Sequence, residues 1–313
     1  MKIVIFGGGG FIGSATTDRL LLDGHELRIF ERPRVEPYRK FLETERVEWL
    51  TGDLLSMHDV GDAVDGTDIV IHLVSSTLPK GSNDDPIYDV QSNLVASLQM
   101  LNVMVARKIK RIIFISSGGT VYGTPMYLPI DERHPTEPQV SYGITKLAIE
   151  KYLLLFERMH GIKTTILRVA NPFGERQRIE TAQGAVSAFL HRALNGRPIE
   201  IWGDGSTTRD YIYISDVAEA FARAVIYGGP KSIFNVSSGV GTSLNDLITL
   251  LEEVLAHPVE RHCLPGRPFD VPVSILSNDL ARREMGWMPK VSLREGIENV
   301  VKWMTKGPGK KQH

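Results

Sequence analysis

A phenol and an ammonium group stand four residues apart in Tyr142-Gly-Ile-Thr-Lys146, and the stretch that follows, Leu147 to Leu153, contains neither glycine nor proline. On a helix this spacing puts both side chains on one face. A cation held there favours the ionised phenol and draws its pKa down from about 10, so the pair suits a general base that takes a proton near neutral pH. The same spacing recurs in Tyr227 and Lys231, but Gly228-Gly229-Pro230 lies between them and bars a clean helical turn. Only the first pair is a candidate for chemistry.

A second constellation is Gly7-Gly8-Gly9-Gly10-Phe11-Ile12-Gly13, directly after the apolar run Ile3–Phe6 and at the start of a predicted helix beginning near Phe11. Glycines let the backbone turn and approach a pyrophosphate, whose charge is favoured by the unpaired amides of a helix N-terminus. Placement between strand and helix is what gives such a motif its meaning. Two registers fit, Gly8/Gly10/Gly13 and Gly7/Gly10/Gly13, and the local sequence does not choose between them. Glu31 closes the second apolar run, where an acid accepts hydrogen bonds from ribose hydroxyls and repels a 2′-phosphate. The expected cofactor is NAD. Arg32 beside it could instead receive that phosphate or stack on adenine, which leaves NADP open.

These groups need a scaffold. Short β-branched runs alternate with helical patterns: Ile3–Phe6, Leu27–Phe30, Val47–Leu50, Ile69–Leu73, Ile112–Ile115 and Thr165–Leu167. The alternation predicts an α/β protein with a Rossmann-type, doubly wound parallel sheet. The first, fourth and fifth runs are almost wholly apolar, as strands covered on both faces are. Long helices are expected over Asn93–Arg107 and Tyr142–Met159. After Asn171-Pro172 the alternation breaks into loops at 174–184, 202–210 and 264–272, and Ser232–Val236 reads as a strand returning to the main sheet. The expected division is therefore residues 1–173 with 211–238 as the dinucleotide domain, 174–210 and 239–306 as a smaller substrate-binding lobe, and 307–313 as a tail.

With 36 basic and 37 acidic side chains the formal net charge is −1, so no overall field favours nucleic acid or an anionic membrane surface. The opening apolar run is too short for a membrane span or a signal segment. A lone cysteine, Cys263, excludes an internal disulfide and reads as a buried small residue, and no Cys/His cluster has metal-site spacing. A cytoplasmic protein without metal is expected.

The motifs taken together resemble the extended short-chain dehydrogenase/reductase family, and within it the nucleotide-sugar 4-epimerases. The resemblance runs from Met1 to about Trp303. It is carried by Gly7-x-x-Gly-Phe-Ile-Gly13, Gly52-Asp53-Leu54, Ser116-Ser117 with Val121-Tyr122-Gly123, Tyr142-x-x-x-Lys146, Leu167-Arg168 with Asn171, Gly203-Asp204-Gly205 with Arg209-Asp210-Tyr211, and Gly286-Trp287 with Pro289.

The resemblance implies that Asp53 and Leu54 contact adenine, that Leu73, Val74 and Ser75 line the dinucleotide with Ser116 near it, and that Asn93 lies behind the pyrophosphate and ribose. It further implies that Tyr142 takes the proton of a sugar C4 hydroxyl, helped by Lys146 and the positive nicotinamide, as hydride passes to NAD and a 4-keto sugar forms. Asn171, Arg209 and Arg267 match positions that hold a nucleotide diphosphate, Asp270 follows at a ribose contact, and Arg176 and Arg178 stand in the preceding loop. Relatives pair two long helices into a homodimer, which the helices at 93–107 and 142–159 would do here.

One position departs from the pattern. Relatives place Ser or Thr two residues after Ser116, whereas this chain has Gly118, with Ser117 and Thr120 as substitutes. Sugar-nucleotide 4,6-dehydratases carry an Asp-Glu pair where this chain has Gly119-Thr120, which argues against elimination chemistry. The leading expectation is C4 epimerisation of a nucleotide sugar, with a UDP-hexose as the substrate. The competing ones are an NAD(P)H-dependent reductase of a 4-keto nucleotide sugar and a non-catalytic dinucleotide sensor.

Overall fold

The computed structural model describes residues 1–79, 81–177, 184–266 and 271–306. In chain order the first part runs β1 (Lys2–Phe6), α1 (Phe11–Leu22), β2 (Glu26–Glu31), β3 (Val47–Thr51), α2 (Met57–Val64), β4 (Ile69–His72), α3 (Pro86–Asp89), α4 (Ala96–Ala106), β5 (Arg111–Ser117), α5 (Ser141–His160) and β6 (Lys163–Val169). The second part runs β7 (Asn171–Phe173), α6 (Ala185–Leu194), β8 (Ile199–Trp202), β9 (Thr208–Tyr213), α7 (Ile214–Ile226), β10 (Ile233–Val236), β11 (Gly241–Ser243), α8 (Leu244–Leu255), β12 (Arg261–Leu264), β13 (Val273–Ser274), α9 (Asp279–Met285) and α10 (Leu293–Lys306).

Seven strands form one parallel sheet in the order β10-β6-β5-β4-β1-β2-β3. Strand order reverses between β1 and β4, and the crevice at such a switch point is where α/β proteins hold their ligands. The apolar runs explain the layers. Alternate residues of a strand face opposite sides, so Ile3 and Ile5 pack with Leu20 of α1 and Phe221 of α7, while Val4 and Phe6 pack with Val60, Met100 and Leu153 on the other face. Burying each such side chain contributes about 1.5–3 kcal/mol. The remaining strands make two small sheets: β9 pairs with β7, β11 and β13, and β12 pairs with β8.

Three expectations change in detail. The helix expected from Asn93 is α4, preceded by a π-helical turn over Val90–Val95. The chain returns to the main sheet with α7 rather than at residue 211, because Tyr211–Tyr213 extends β9 beside β7. Cys263 is exposed rather than buried, since among the described residues β12 pairs with β8 alone. Among the described residues no helix is long and apolar enough to cross a membrane, and no group of three or more His, Cys, Asp and Glu side chains could hold a metal ion. The tail at 307–313 lies outside the described residues.

Candidate active site

The glycine run joins β1 to α1 as the spacing predicts. Gly7 takes a left-handed φ of 86°, and its carbonyl accepts a hydrogen bond from the Gly10 amide at 3.2 Å. A Cβ on Gly13 would lie 2.0 Å from the Gly7 carbonyl oxygen, so only glycine lets the loop fold down on the helix. Among the described residues no side chain caps α1 at Gly10, which leaves the first-turn amides, at Phe11, Ile12 and Gly13, to an anion. A pyrophosphate fits this cradle. Glu31 ends β2 beside it, buried, with Oε1 accepting the Gly9 amide at 2.8 Å. Arg32 and Asp53 are exposed and Leu54 is buried at the ends of β2 and β3, and the partly buried Leu73, Val74 and Ser75 leave β4 toward the same edge.

Asn93 serves this edge through the backbone. Its Oδ1 accepts the Ser76 amide at 2.8 Å and its Nδ2 donates to Thr77 Oγ1 at 3.1 Å, which braces the loop after β4. Ser116, expected near the dinucleotide, is buried. Its hydroxyl is turned inward to Glu150 Oε1 at 2.5 Å, where Glu150 also receives Arg168 through Nε at 3.0 Å and Nη2 at 2.6 Å. A buried carboxylate needs such donors more than a surface ligand needs a hydroxyl.

Tyr142 and Lys146 occupy the first turns of α5, and the start of that helix is capped from a distance. The Ser141 amide donates to Asn83 Oδ1 at 2.9 Å and the Tyr142 amide to Ser82 Oγ at 3.0 Å. Lys146 is buried, with Nζ donating to the Ile115 carbonyl at 3.2 Å and lying 4.8 Å from the Phe114 ring centroid and 5.7 Å from that of Tyr142. Burial lowers its pKa to about 8, against the opposing pull of Asp89 and Glu150. Burial also pushes the Tyr142 phenol up to about 12, with a hydrogen bond to the Ser75 hydroxyl working downward and the Asp89 carboxylate upward. Reaching a phenolate near neutral pH therefore requires further positive charge beside the ring. A bound nicotinamide cation has the right sign.

Gly118 has a steric reason. A Cβ there would lie 2.3 Å from Leu276 Cδ1 and 3.1 Å from the Arg168 carbonyl oxygen, so Leu276 fills the room a side chain would need. Gly119 is different: a Cβ on it would meet only Asn171 Oδ1, at 3.8 Å. Thr120 sits against Gly143, whose added Cβ would lie 2.8 Å from the Thr120 carbonyl oxygen, and its hydroxyl is buried without a partner among the described residues. Ser117 ends β5 and is partly exposed. The turn from 117 to 120 thus lies between Asn171 on one side and the residue following Tyr142 on the other.

On the substrate side, Asn171 donates through Nδ2 to the Asp210 carbonyl at 3.0 Å, and Arg209 donates through Nη1 to the Thr208 carbonyl at 2.9 Å. Asp210 is buried, which pushes its carboxyl up to about 6, against hydrogen bonds from Ser238, Leu276 and Gly239. Arg176 Nη1 pairs with Asp18 Oδ2 on α1 at 2.8 Å, and its guanidinium lies 4.6 Å from the Tyr38 ring centroid. Arg178, Arg267 and Asp270 lie outside the described residues. Sequence reasoning missed Asp89, Ser82 and Asn83 as parts of this site, and named Ser75 for the dinucleotide but not as a neighbour of Tyr142. Asp85-Pro86 did signal a helix start, but the partners of Asp89 on α5 are more than fifty residues away.

A family model described as the NAD dependent epimerase/dehydratase family matches residues 3–237. The chain belongs to that family. It is 34% identical over 307 residues to the UDP-glucose 4-epimerase of Mycolicibacterium smegmatis, a match that covers 97% of this chain and 98% of that protein. It is also 32% identical to an Escherichia coli dTDP-4-dehydro-6-deoxyglucose reductase, over 96% of this chain and 94% of that protein. The crystal structure of UDP-glucose 4-epimerase from Thermotoga maritima with UDP-glucose superposes with a TM-score of 0.91 at 33% identity, covering 98% of this chain and 99% of the other. As a family member the chain uses NAD, and the glycine cradle, Glu31 and the loop after β4 are the residues that would hold it.

Proposed function

We propose that this protein epimerises C4 of a nucleotide sugar, with a UDP-hexose as substrate, through a transient 4-keto sugar. The observation that carries the reading is the Tyr142/Lys146 pair at the end of β5, with Lys146 buried and Tyr142 partly buried, next to a turn that lacks the Asp-Glu pair of a dehydratase. Likeness to UDP-glucose 4-epimerases over nearly the whole chain supports it. Bound NAD supplies the acceptor, and then the donor, of the hydride at C4. Tyr142 takes the C4 hydroxyl proton as the C4–H bond breaks and returns it when the hydride comes back to the other face. Lys146 stabilises the phenolate, Thr120 and Ser117 offer hydroxyls to the reacting oxygen, and Asn171, Arg209 and Arg267 hold the diphosphate. Asp270 contacts the nucleoside ribose. Residues 174–213 and 239–306 form the substrate lobe.

The test is turnover of UDP-hexoses in heavy water with no added cofactor, read by NMR. Inversion at C4 without deuterium in the carbon skeleton is expected, because only the hydroxyl proton passes through Tyr142. Carbon-bound deuterium or strict dependence on added NAD(P)H would sink the reading. The second outcome would favour a 4-keto reductase, a reading supported by the 32% identity to the Escherichia coli enzyme.

The protein is a homodimer joined through α4 and α5. Ile144, Tyr152 and Met159 are exposed along one face of α5, and Val95 is exposed in the turn just before α4. Light scattering should give twice the chain mass, reduced to one by Ile144→Glu. A free, exposed Cys263 fits a reducing cytoplasm.

A further inference from the structure

Asp89 ends α3 with no exposed surface and forms no ion pair among the described residues. A buried acid with no directly paired cation is costly, so its surroundings must hold it by hydrogen bonds. A carboxylate offers about four acceptor sites, and here four side chains use them. Thr77 Oγ1 and Asn93 Nδ2, the latter at 3.0 Å, donate to Oδ1. Ser141 Oγ at 2.8 Å and Thr145 Oγ1 at 2.7 Å donate to Oδ2.

The identity of these donors matters. Ser141 and Thr145 immediately precede Tyr142 and Lys146, four residues apart on the same helix face. A slide or rotation of α5 would stretch both bonds at once. Thr77 and Asn93 belong to the other wall: the Thr77 carbonyl accepts the Ser75 hydroxyl at 3.1 Å and Asn93 Oδ1 accepts the Ser76 amide at 2.8 Å. Ser75 also lies close enough to Tyr142 to favour its ionised form. Contacts therefore run from Asp89 through Ser141 and Thr145 to the helix turn bearing Tyr142, and from Asp89 through Thr77 and Asn93 to the loop at Ser75 and Ser76. The π-helical turn over Val90–Val95 begins at the next residue, the kind of irregularity that accompanies functional sites.

We propose that Asp89 is the positioning residue of this active site: its carboxylate locks the helix turn bearing Tyr142 and Lys146 to the loop that lines the dinucleotide. The proposal deepens the epimerase reading and rests on it for the kinetic effect. Its charge also acts on both catalytic groups. Three titratable groups from other positions face them. Asp89 comes from α3 and Glu150 from α5, where Arg168 matches it, and His72 comes from β4 and stays neutral because burial lowers it to about 3.

The test is Asp89→Asn, nearly the same in shape but uncharged and poorer in acceptors. With melting temperature and bound NAD close to wild type, kcat should fall about tenfold to hundredfold while KM stays within about threefold, the signature of a displaced catalytic group. Removing the anion lets the phenol ionise more easily and Lys146 lose its proton more easily, so both limbs of the kcat–pH profile should move to lower pH. Carbon-13 NMR of Cζ-labelled tyrosine, with Tyr142 assigned by its absence from Tyr142→Phe, should show the same acid shift. That readout needs no turnover, so it tests Asp89 even if no nucleotide sugar proves to be a substrate. Unchanged kcat, or a lower kcat with unmoved limbs and an unmoved Tyr142 titration, would overturn the proposal. If Asp89→Asn does not fold, Ser141→Ala/Thr145→Val removes two donors instead. A lower kcat with KM and bound NAD retained supports the lock, and an unchanged kcat refutes it.

Discussion

Tyr142 and Lys146 ride on one turn of α5 whose first amides are capped by Ser82 and Asn83, whereas Asn171 and Arg209 come from separate strands, β7 and β9. The catalytic half rests on the main parallel sheet, with the apolar cores of both faces beneath it. The substrate half is built from small sheets whose geometry depends on single buried polar groups, above all Asp210, which gathers Ser238, Gly239 and Leu276. The contrast is one of support: Tyr142 and Lys146 stand on a sheet edge backed by two apolar cores, whereas Asn171 and Arg209 stand on small sheets held by a few buried polar groups.

Replacing the phenol is the strongest way to break this comparison. Tyr142→Phe should lower kcat by about 10²- to 10⁴-fold, the usual worth of a general base, while calorimetry finds NAD affinity within about threefold of wild type. A parallel loss of NAD would mean that the two halves are not separately held.

A second test targets the support of the substrate half. Burial raises Asp210 to about 6, above its unfolded value, so its ionisation opposes folding. That penalty is absent below about pH 4 and complete above about pH 6, and it amounts to at most about 3 kcal/mol. Urea unfolding of wild type minus Asp210→Ala should therefore show the wild-type advantage shrinking as pH rises across that window. An advantage that grows with pH would place a cation beside Asp210.

Arg209→Ala should weaken nucleotide-sugar binding about tenfold to hundredfold, the cost of about 1.5–3 kcal/mol for a charge-assisted contact, and leave NAD affinity unchanged by calorimetry. Equal losses for both ligands would erase the distinction between the halves. Arg176→Ala should change substrate KM by less than about threefold, because that guanidinium is committed to Asp18 and a partly exposed pair is worth about 0–1 kcal/mol. A larger effect in steady-state kinetics would return Arg176 to the substrate side.

Local chemistry was legible in the sequence. Apolar runs spaced by helices specified the strands of the main sheet, because a strand covered on both faces must be apolar along its length. Gly7 to Gly13 and Tyr142 to Lys146 could be read as a phosphate cradle and a base pair because each is a contiguous segment whose geometry follows from one turn of backbone. The tertiary structure decided what distant segments do to one another. Leu276 explains why residue 118 is glycine, Glu150 captures Ser116, Asp18 takes Arg176, and Asp89 joins residues 77, 93, 141 and 145 around one carboxylate. No periodicity encodes such pairings. A hydrogen bond depends on a few ångströms of separation in space, and separation along the chain says almost nothing about that once the sheet has folded.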